Sequence, residues 1–307
     1  MKRGSSGLNL LLGIDKPAGM SSHDVVNVVR RSIGERRVGH AGTLDPLATG
    51  VMVVGVGQGT RLMSLLTAET KSYVATITFG SETTTDDAEG EVTRTATTTA
   101  QHEDMAYAQS VLESFVGKQE QVPPAYSAIS VNGKRSYARA RAGEEVKLEA
   151  RPIEVMSAQA LSVTKDEAVR WQCAFTVSKG TYIRAIARDI GRRTGSAAFL
   201  EQLCRTASGS VTLRQCVSLE RLEQEGRASL ADGMLDPVKA LGVECRELSA
   251  REARDVASGR PIDARDIRAG KMVALVRERR LWGVWEERNG QLICKANYPL
   301  GIEGIRP

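Results

Sequence analysis

Residues 39–50, Gly-His-Ala-Gly-Thr-Leu-Asp-Pro-Leu-Ala-Thr-Gly, set three glycines, one histidine and one aspartate directly before the apolar run Val51, Met52, Val53 and Val54. Glycine-rich backbone permits close approach to a ligand, and Pro46 biases Asp45 toward extended backbone rather than helix. One carboxylate is therefore expected in a loop at the start of a buried strand. Loops on a rigid scaffold are where catalytic groups concentrate, and a positioned carboxylate can act as a nucleophile. Asp-Pro is also ordinary turn chemistry, so the loop by itself leaves catalysis and a plain turn both open.

The elements that must position this loop are legible on either side of it. Asp15-Lys16-Pro17-Ala18-Gly19 reads as a turn, and Ser21 with Asp24 forms a capping-box pattern. Val25, Val28, Val29 and Ile33 then recur at helical spacing, with Gly34 placed to end the helix. Residues 71–79 alternate as a strand, with Tyr73, Ala75, Ile77 and Phe79 on one face. Ala108, Val111, Leu112, Phe115 and Val116 predict an amphipathic helix ended by Gly117. Trp171, Cys173, Phe175 and Val177 alternate as a strand, and Ile183, Ile186, Ala187 and Ile190 predict a helix ending near Gly195. Strands and helices intersperse without a strict βαβ repeat, so the expected class is α+β with a mixed sheet.

Two segments differ in character. Residues 119–151 open on Pro123-Pro124 and lack a long core pattern, and residues 134–151 hold 6 Lys/Arg against 3 Asp/Glu. With Tyr137 they could grip nucleic acid or form a long surface hairpin. From Cys245 on, residues 272–276, 281–285 and 292–296 are short strand candidates, with Asn289-Gly290 as the hairpin turn between the last two. A small β-rich module is expected there.

Composition bounds the partner class. The 307 residues carry a formal charge of +5, unevenly spread. Residues 67–125 hold 3 Lys/Arg against 10 Asp/Glu, whereas residues 179–214 hold 7 against 2 and residues 1–40 hold 7 against 3. Basic surface set apart from acidic surface fits a polyanionic partner. The five cysteines form no Cys-x-x-Cys pair and the three histidines are scattered, which argues against a zinc site or disulfide framework and for reduced thiols in the cytoplasm. No metal or cofactor is implied. The apolar stretch from Leu8 to Ile14 is too short and broken for a signal peptide, and no apolar run is long enough for a membrane span.

The string around Asp45 resembles the catalytic loop of the TruB family of pseudouridine synthases, Gly-His-Thr-Gly-x-Leu-Asp-Pro-x-Ala-x-Gly, with Ala41 standing where the family usually has Thr. Blocks at residues 12–22, 71–80, 83–90, 122–137, 178–184 and 203–205 resemble the same family in order. The resemblance implies a pseudouridine synthase catalytic domain over residues 1–240, with residues about 119–151 as an RNA-gripping insertion. A PUA-like RNA-binding domain over residues 245–307 would follow it. The implied reaction isomerises uridine at position 55 in the T loop of tRNA by a bacterial-type, monomeric enzyme without a protein partner.

By the same resemblance Asp45 is the nucleophile, with attack at the ribose or at the base left open. Arg184 pairs with it, Tyr73 stacks on the uracil, and Tyr182 and Leu203 line the uracil pocket. His40 fills the space left by the flipped base. Lys16 contacts phosphate or supports the loop, and Asp87 orients neighbouring groups or merely caps a turn. Two other readings are a guide-RNA-dependent synthase and a tRNA-folding RNA chaperone.

Overall fold

Leu10, Leu12 and Ile14 alternate with Leu11 and Gly13 at the start of the first strand, and that alternation builds two cores at once. In a computed structural model, which describes residues 6–66, 70–127, 130–131, 134–136, 148–265 and 267–306, β1 (Leu10–Lys16) pairs antiparallel with β3 (Thr49–Val56) along its whole length. β2 (Val38–Ala41) lies on the other side of β3, with Val38 opposite Val56 and Ala41 opposite Val53. β1 is flanked on its free edge by Cys216–Ser218, parallel, and Met234–Leu235, antiparallel. This is a mixed sheet, as the interspersed pattern predicted. Gly13 is needed there: a Cβ would sit 2.8 Å from the Gln215 carbonyl oxygen and 2.9 Å from Cys216 Sγ.

The even positions of β1 and β3 (Leu10, Leu12, Ile14, Met52, Val54, Val56) pack against Val25, Val26, Val28, Val29 and Ile33 of α1 (Ser22–Ile33). The Ser21–Asp24 capping box forms, and Gly34 ends the helix in the left-handed region at φ 69°. The odd positions Leu11, Val51 and Val53 pack against Leu62, Leu235 and Leu241. They also meet Ala274, Val276, Leu281, Val284, Tyr298 and Ile302 of the C-terminal sheet. β3 is thus buried on both faces, and its near-continuous apolar run follows from that. The turn predicted over residues 15–19 starts later than expected: Ala18 and Gly19 turn, while Asp15 and Lys16 still belong to β1, whose ladder runs to Lys16 opposite Gly50.

The C-terminal sheet has the order Glu244–Glu247, Met272–Arg277, Arg280–Arg288, Gln291–Ile302, Ile262–Asp263. All three predicted strands are present. Asn289 (φ 53°) and Gly290 (φ 77°) make the expected tight hairpin turn. The helix Ala250–Ala257 covers this sheet through Ala253 and Val256, packed with Trp285, Leu275 and Leu292. These segments belong to a compact unit of Met1–Glu69 with Ala207–Pro307; Thr70–Thr206 form a second unit.

In the second unit the strand order is Ala198–Ser208, β4 (Lys71–Phe79), Val169–Val177, Arg151–Lys165, Gly117–Gln121. β4 and Val169–Val177 pair with Tyr73 opposite Phe175 and Ile77 opposite Trp171. Trp171 is fully buried, and its indole N–H donates to the His102 carbonyl at 2.7 Å. The predicted helix near 108–116 runs over Met105–Glu113, earlier than its apolar stripe implied. Asp104 caps its start, and Gly117 (φ 113°) opens a strand rather than closing the helix. The helix Ile183–Arg193 forms where its apolar stripe placed it.

That helix and the acidic segment near residue 82 are joined by charge. Glu82, 5% exposed, accepts from Arg192 Nε at 3.0 Å and Nη2 at 2.8 Å, and from Arg94 Nη2 at 2.6 Å. Burial pushes its carboxyl up, but the hydrogen bonds from Arg192 and Arg94 outweigh burial and hold it at about 2. A carboxyl lowered in the folded state contributes stability above its ordinary value, and that stability is lost as pH falls toward the folded one. Glu82→Gln is expected to cost about 2 kcal/mol at pH 7. Its deficit against the wild type should shrink as pH drops from 4.5 toward about 2. Urea unfolding of both proteins at neutral and acid pH reads this; an equal deficit throughout would contradict it.

Candidate active site

The loop between β2 and β3 is held residue by residue on either side of Asp45. Leu44 is fixed by Ser22 at the start of α1: the Leu44 N–H donates to Ser22 Oγ at 2.8 Å, and that hydroxyl donates to the Leu44 carbonyl at 2.9 Å. The Pro46 carbonyl accepts from Gly19 N–H at 2.9 Å. Ala48 N–H donates back to the Asp45 carbonyl at 3.1 Å, a turn with Pro46 at its second position. Gly42 takes φ 79° where the chain leaves β2, a conformation that favours glycine. Asp45 itself is half-buried. A carboxylate whose backbone is immobilised on both sides is suited to nucleophilic attack, since little ordering remains to be done when substrate arrives.

Lys16 completes the clamp. It is 0% exposed, and its ammonium donates to the carbonyls of Pro17 at 2.9 Å, Pro46 at 3.2 Å and Ala48 at 2.6 Å. The sequence leaves Lys16 between a phosphate contact and loop support. Of these two, a buried ammonium donating to three carbonyls fits loop support. His40 lies on β2 opposite Val54, half-buried, five residues before Asp45.

The second unit carries Tyr73, Tyr182, Arg184 and Leu203. Arg184 is the second residue of Ile183–Arg193 and is 4% exposed. Its Nη1 donates to the Thr85 carbonyl at 2.7 Å, its Nη2 to the Tyr126 carbonyl at 2.9 Å, and Nη1 lies 3.4 Å from Asp87 Oδ2. Asp87 is 3% exposed, and its other oxygen accepts from Glu89 N–H at 3.1 Å and from the Thr85 hydroxyl. Of the two roles open to Asp87, orienting a neighbour fits this placement.

Tyr182 precedes the helix without a side-chain cap of its own. Gln121 supplies the restraint: its Nε2 donates to the Tyr182 carbonyl at 3.0 Å and its Oε1 accepts the Tyr182 N–H at 2.9 Å. Tyr73 (7% exposed) lies on β4 and Leu203 (8%) on the neighbouring strand Ala198–Ser208. Tyr137 and the cations of residues 137–147 lie outside the described residues.

Several residues went unread in the sequence: Ser22, Gln121, Asp86, Arg188 and Arg192. Arg184, Arg188 and Arg192 recur every four residues, a spacing that puts them on one helix face, and that signal was available. Burial pushes the Asp86 carboxyl up to about 6, against the pull of Arg188. Among the described residues no group of three or more His, Cys, Asp or Glu side chains is placed to hold a metal ion, and no helix is long and apolar enough to cross a membrane.

Removing the loop clamp tests its role. Lys16→Met strips three loop carbonyls of their donor and is expected to destabilise the fold by about 2–3 kcal/mol. A denaturant midpoint unchanged from the wild type would show that the clamp contributes nothing.

Residues 30–183 match the family model described as TruB family pseudouridylate synthase (N terminal domain). A "tRNA pseudouridine synthase B" of Paenarthrobacter aurescens (strain TC1) is 46% identical over 267 residues, covering 84% of this chain and 82% of that protein. The protein of the same name from Corynebacterium diphtheriae is 40% identical over 282 residues, 87% of this chain and 92% of its own. Among solved structures, the archaeal box H/ACA sRNP Nop10-Cbf5 complex contains a chain that superposes with a TM-score of 0.68 at 20% identity, over 95% of this chain and 86% of that one. At that identity the likeness speaks for the fold, an α+β pseudouridine synthase architecture. By the family model and by these relatives, the chain belongs to the TruB family of pseudouridylate synthases.

Proposed function

We propose that the reaction this chain catalyses, the isomerisation of uridine to pseudouridine in tRNA, falls at position 55 of the T loop and uses Asp45 as its nucleophile. The supporting observation is the immobilised loop: Ser22, Gly19 and Lys16 restrain residues 44, 46 and 48 around one half-buried carboxylate.

The chemistry breaks the N1–C1′ bond, turns the detached uracil, and rejoins it through C5 with loss of the C5 hydrogen. Asp45 attacks either the ribose carbon or the base ring. Arg184 supplies the counter-charge that a carboxylate shielded from water needs. Tyr73 stacks on the uracil, and Tyr182 and Leu203 bound it. His40 occupies the space the base vacates when it leaves the RNA stack. Residues 119–151 grip the T arm, and residues 245–307 form a PUA-like module that adds basic surface. The enzyme works as a cytoplasmic monomer on bare tRNA.

Tritium release from tRNA carrying 5-tritiated uridine reads the reaction directly, and mapping the product places it. Purified protein should release one tritium per tRNA. Asp45→Asn should reduce kcat by about 10³-fold or more while tRNA binding persists. Release that survives Asp45→Asn would remove Asp45 from the chemistry, and pseudouridine outside the T loop would overturn the assigned position. Binding should weaken with salt, with a log–log slope of about −0.7 per single-stranded phosphate contacted.

A further inference from the structure

Arg188 repeats, one helical turn later, the bridge made by Arg184. Its Nη1 donates to Asp86 Oδ2 at 2.9 Å, its Nη2 to the Val122 carbonyl at 2.9 Å, and its Nε to Asp189 Oδ1 at 2.9 Å. Arg184 spans the same two segments, through Thr85 and Asp87 on one side and the Tyr126 carbonyl on the other. Both arginines are buried, at 8% and 4% exposure. A guanidinium that bonds a carboxylate and a carbonyl through different nitrogens is a rigid two-point crosslink, because its donors lie in one fixed plane.

The turn that Arg188 holds is otherwise unfavourable. Asp86 is a non-glycine residue at φ 60°. Such a conformation persists where surrounding contacts over-determine it. Here those contacts are the Asp86–Arg188 ion pair, the Leu200 N–H on the Asp86 carbonyl at 3.1 Å, and the Asp86 N–H on the Thr83 carbonyl at 3.2 Å. The adjacent residue, Asp87, is the carboxylate that meets Arg184.

We propose that Arg188, with Asp86, is a positioning residue for the reaction: it sets the spacing between residues 85–87 and residues 122–126, and so the orientation in which Arg184 is presented. This rests on the reading that Arg184 serves the uridine-isomerising site. Arg188 has all three donor nitrogens engaged within the protein. It acts through Arg184, which requires both segments at a fixed separation to use its two terminal nitrogens.

The test is a double-mutant cycle in tritium release from tRNA, using Arg188→Met, Arg184→Lys and the pair, with kcat normalised to folded protein by near-UV circular dichroism. Arg188→Met should lower kcat about tenfold with KM held within about twofold. In the pair, Arg188→Met should add little to the loss already caused by Arg184→Lys, since coupled residues are non-additive. An unchanged kcat, a change confined to KM, or full additivity would overturn the proposal. If Arg188→Met does not fold, Asp86→Asn keeps the shape and removes only the charge facing Arg188. It should lower kcat about threefold by the same coupling, and wild-type turnover in that variant would overturn the proposal equally. Absence of tritium release by the wild type would instead sink the uridine-isomerising reading, so the two failures are distinguishable.

Discussion

Three guanidinium groups on one helix face set the geometry of the second unit. Arg184, Arg188 and Arg192 meet Asp87, Asp86 and Glu82 in that order, so the helix and the acidic segment run in opposite directions and are matched rung by rung. Burying charge costs several kcal/mol per ion unless it is paired and hydrogen-bonded. Any slip of the helix by one turn would mismatch the end rungs. The ladder is better read as a device for register than as a source of net stability. The same helix buries Ile183, Ile186, Ala187 and Ile190 on its apolar stripe, so packing holds the helix down while charge decides where along the segment it stops.

The Asp45 loop is built on a different principle. Three backbone carbonyls converge on one buried ammonium, and a serine hydroxyl both donates and accepts across Leu44. Hydrogen bonds to a charged donor are stronger than neutral ones, and here they restrain backbone rather than side chain. The clamp thus fixes the backbone on both sides of Asp45.

Local signals were legible where the deciding contacts are local. Ser21, Asp24 and Gly34 specify the ends of α1 by capping chemistry alone, and Asn289-Gly290 specifies a hairpin. Tyr73, Ala75, Ile77 and Phe79 mark β4 by period. The failures have tertiary causes. Lys16 reads as a polar turn residue, yet two of its three carbonyl partners are 30 and 32 residues away. The strand Arg151–Lys165 goes unread because register shifts between Val155 and Ser157 and between Ala160 and Ser162 break its alternation. The arginine spacing is visible in the chain, but its acidic partners lie about a hundred residues earlier, and spacing alone does not name them. For the site, the motif string located Asp45, while the groups that hold it still came from the structure.

β3 carries two cores on its two faces, and this has a consequence for how the chain is made. Leu11, Val51 and Val53 share their core with Leu62 and Leu66, which follow closely in the chain, and with residues 274–302, near its far end. During synthesis these side chains emerge long before the strands that cover them. That face of β3 therefore stays only partly covered through roughly two hundred residues of elongation, at about 5–20 residues per second. Thr70–Thr206 meet no such delay. The second face of these strands is thus completed late, and a nascent chain interrupted before residue 274 would carry the Asp45 loop on a sheet with one of its two cores unfinished.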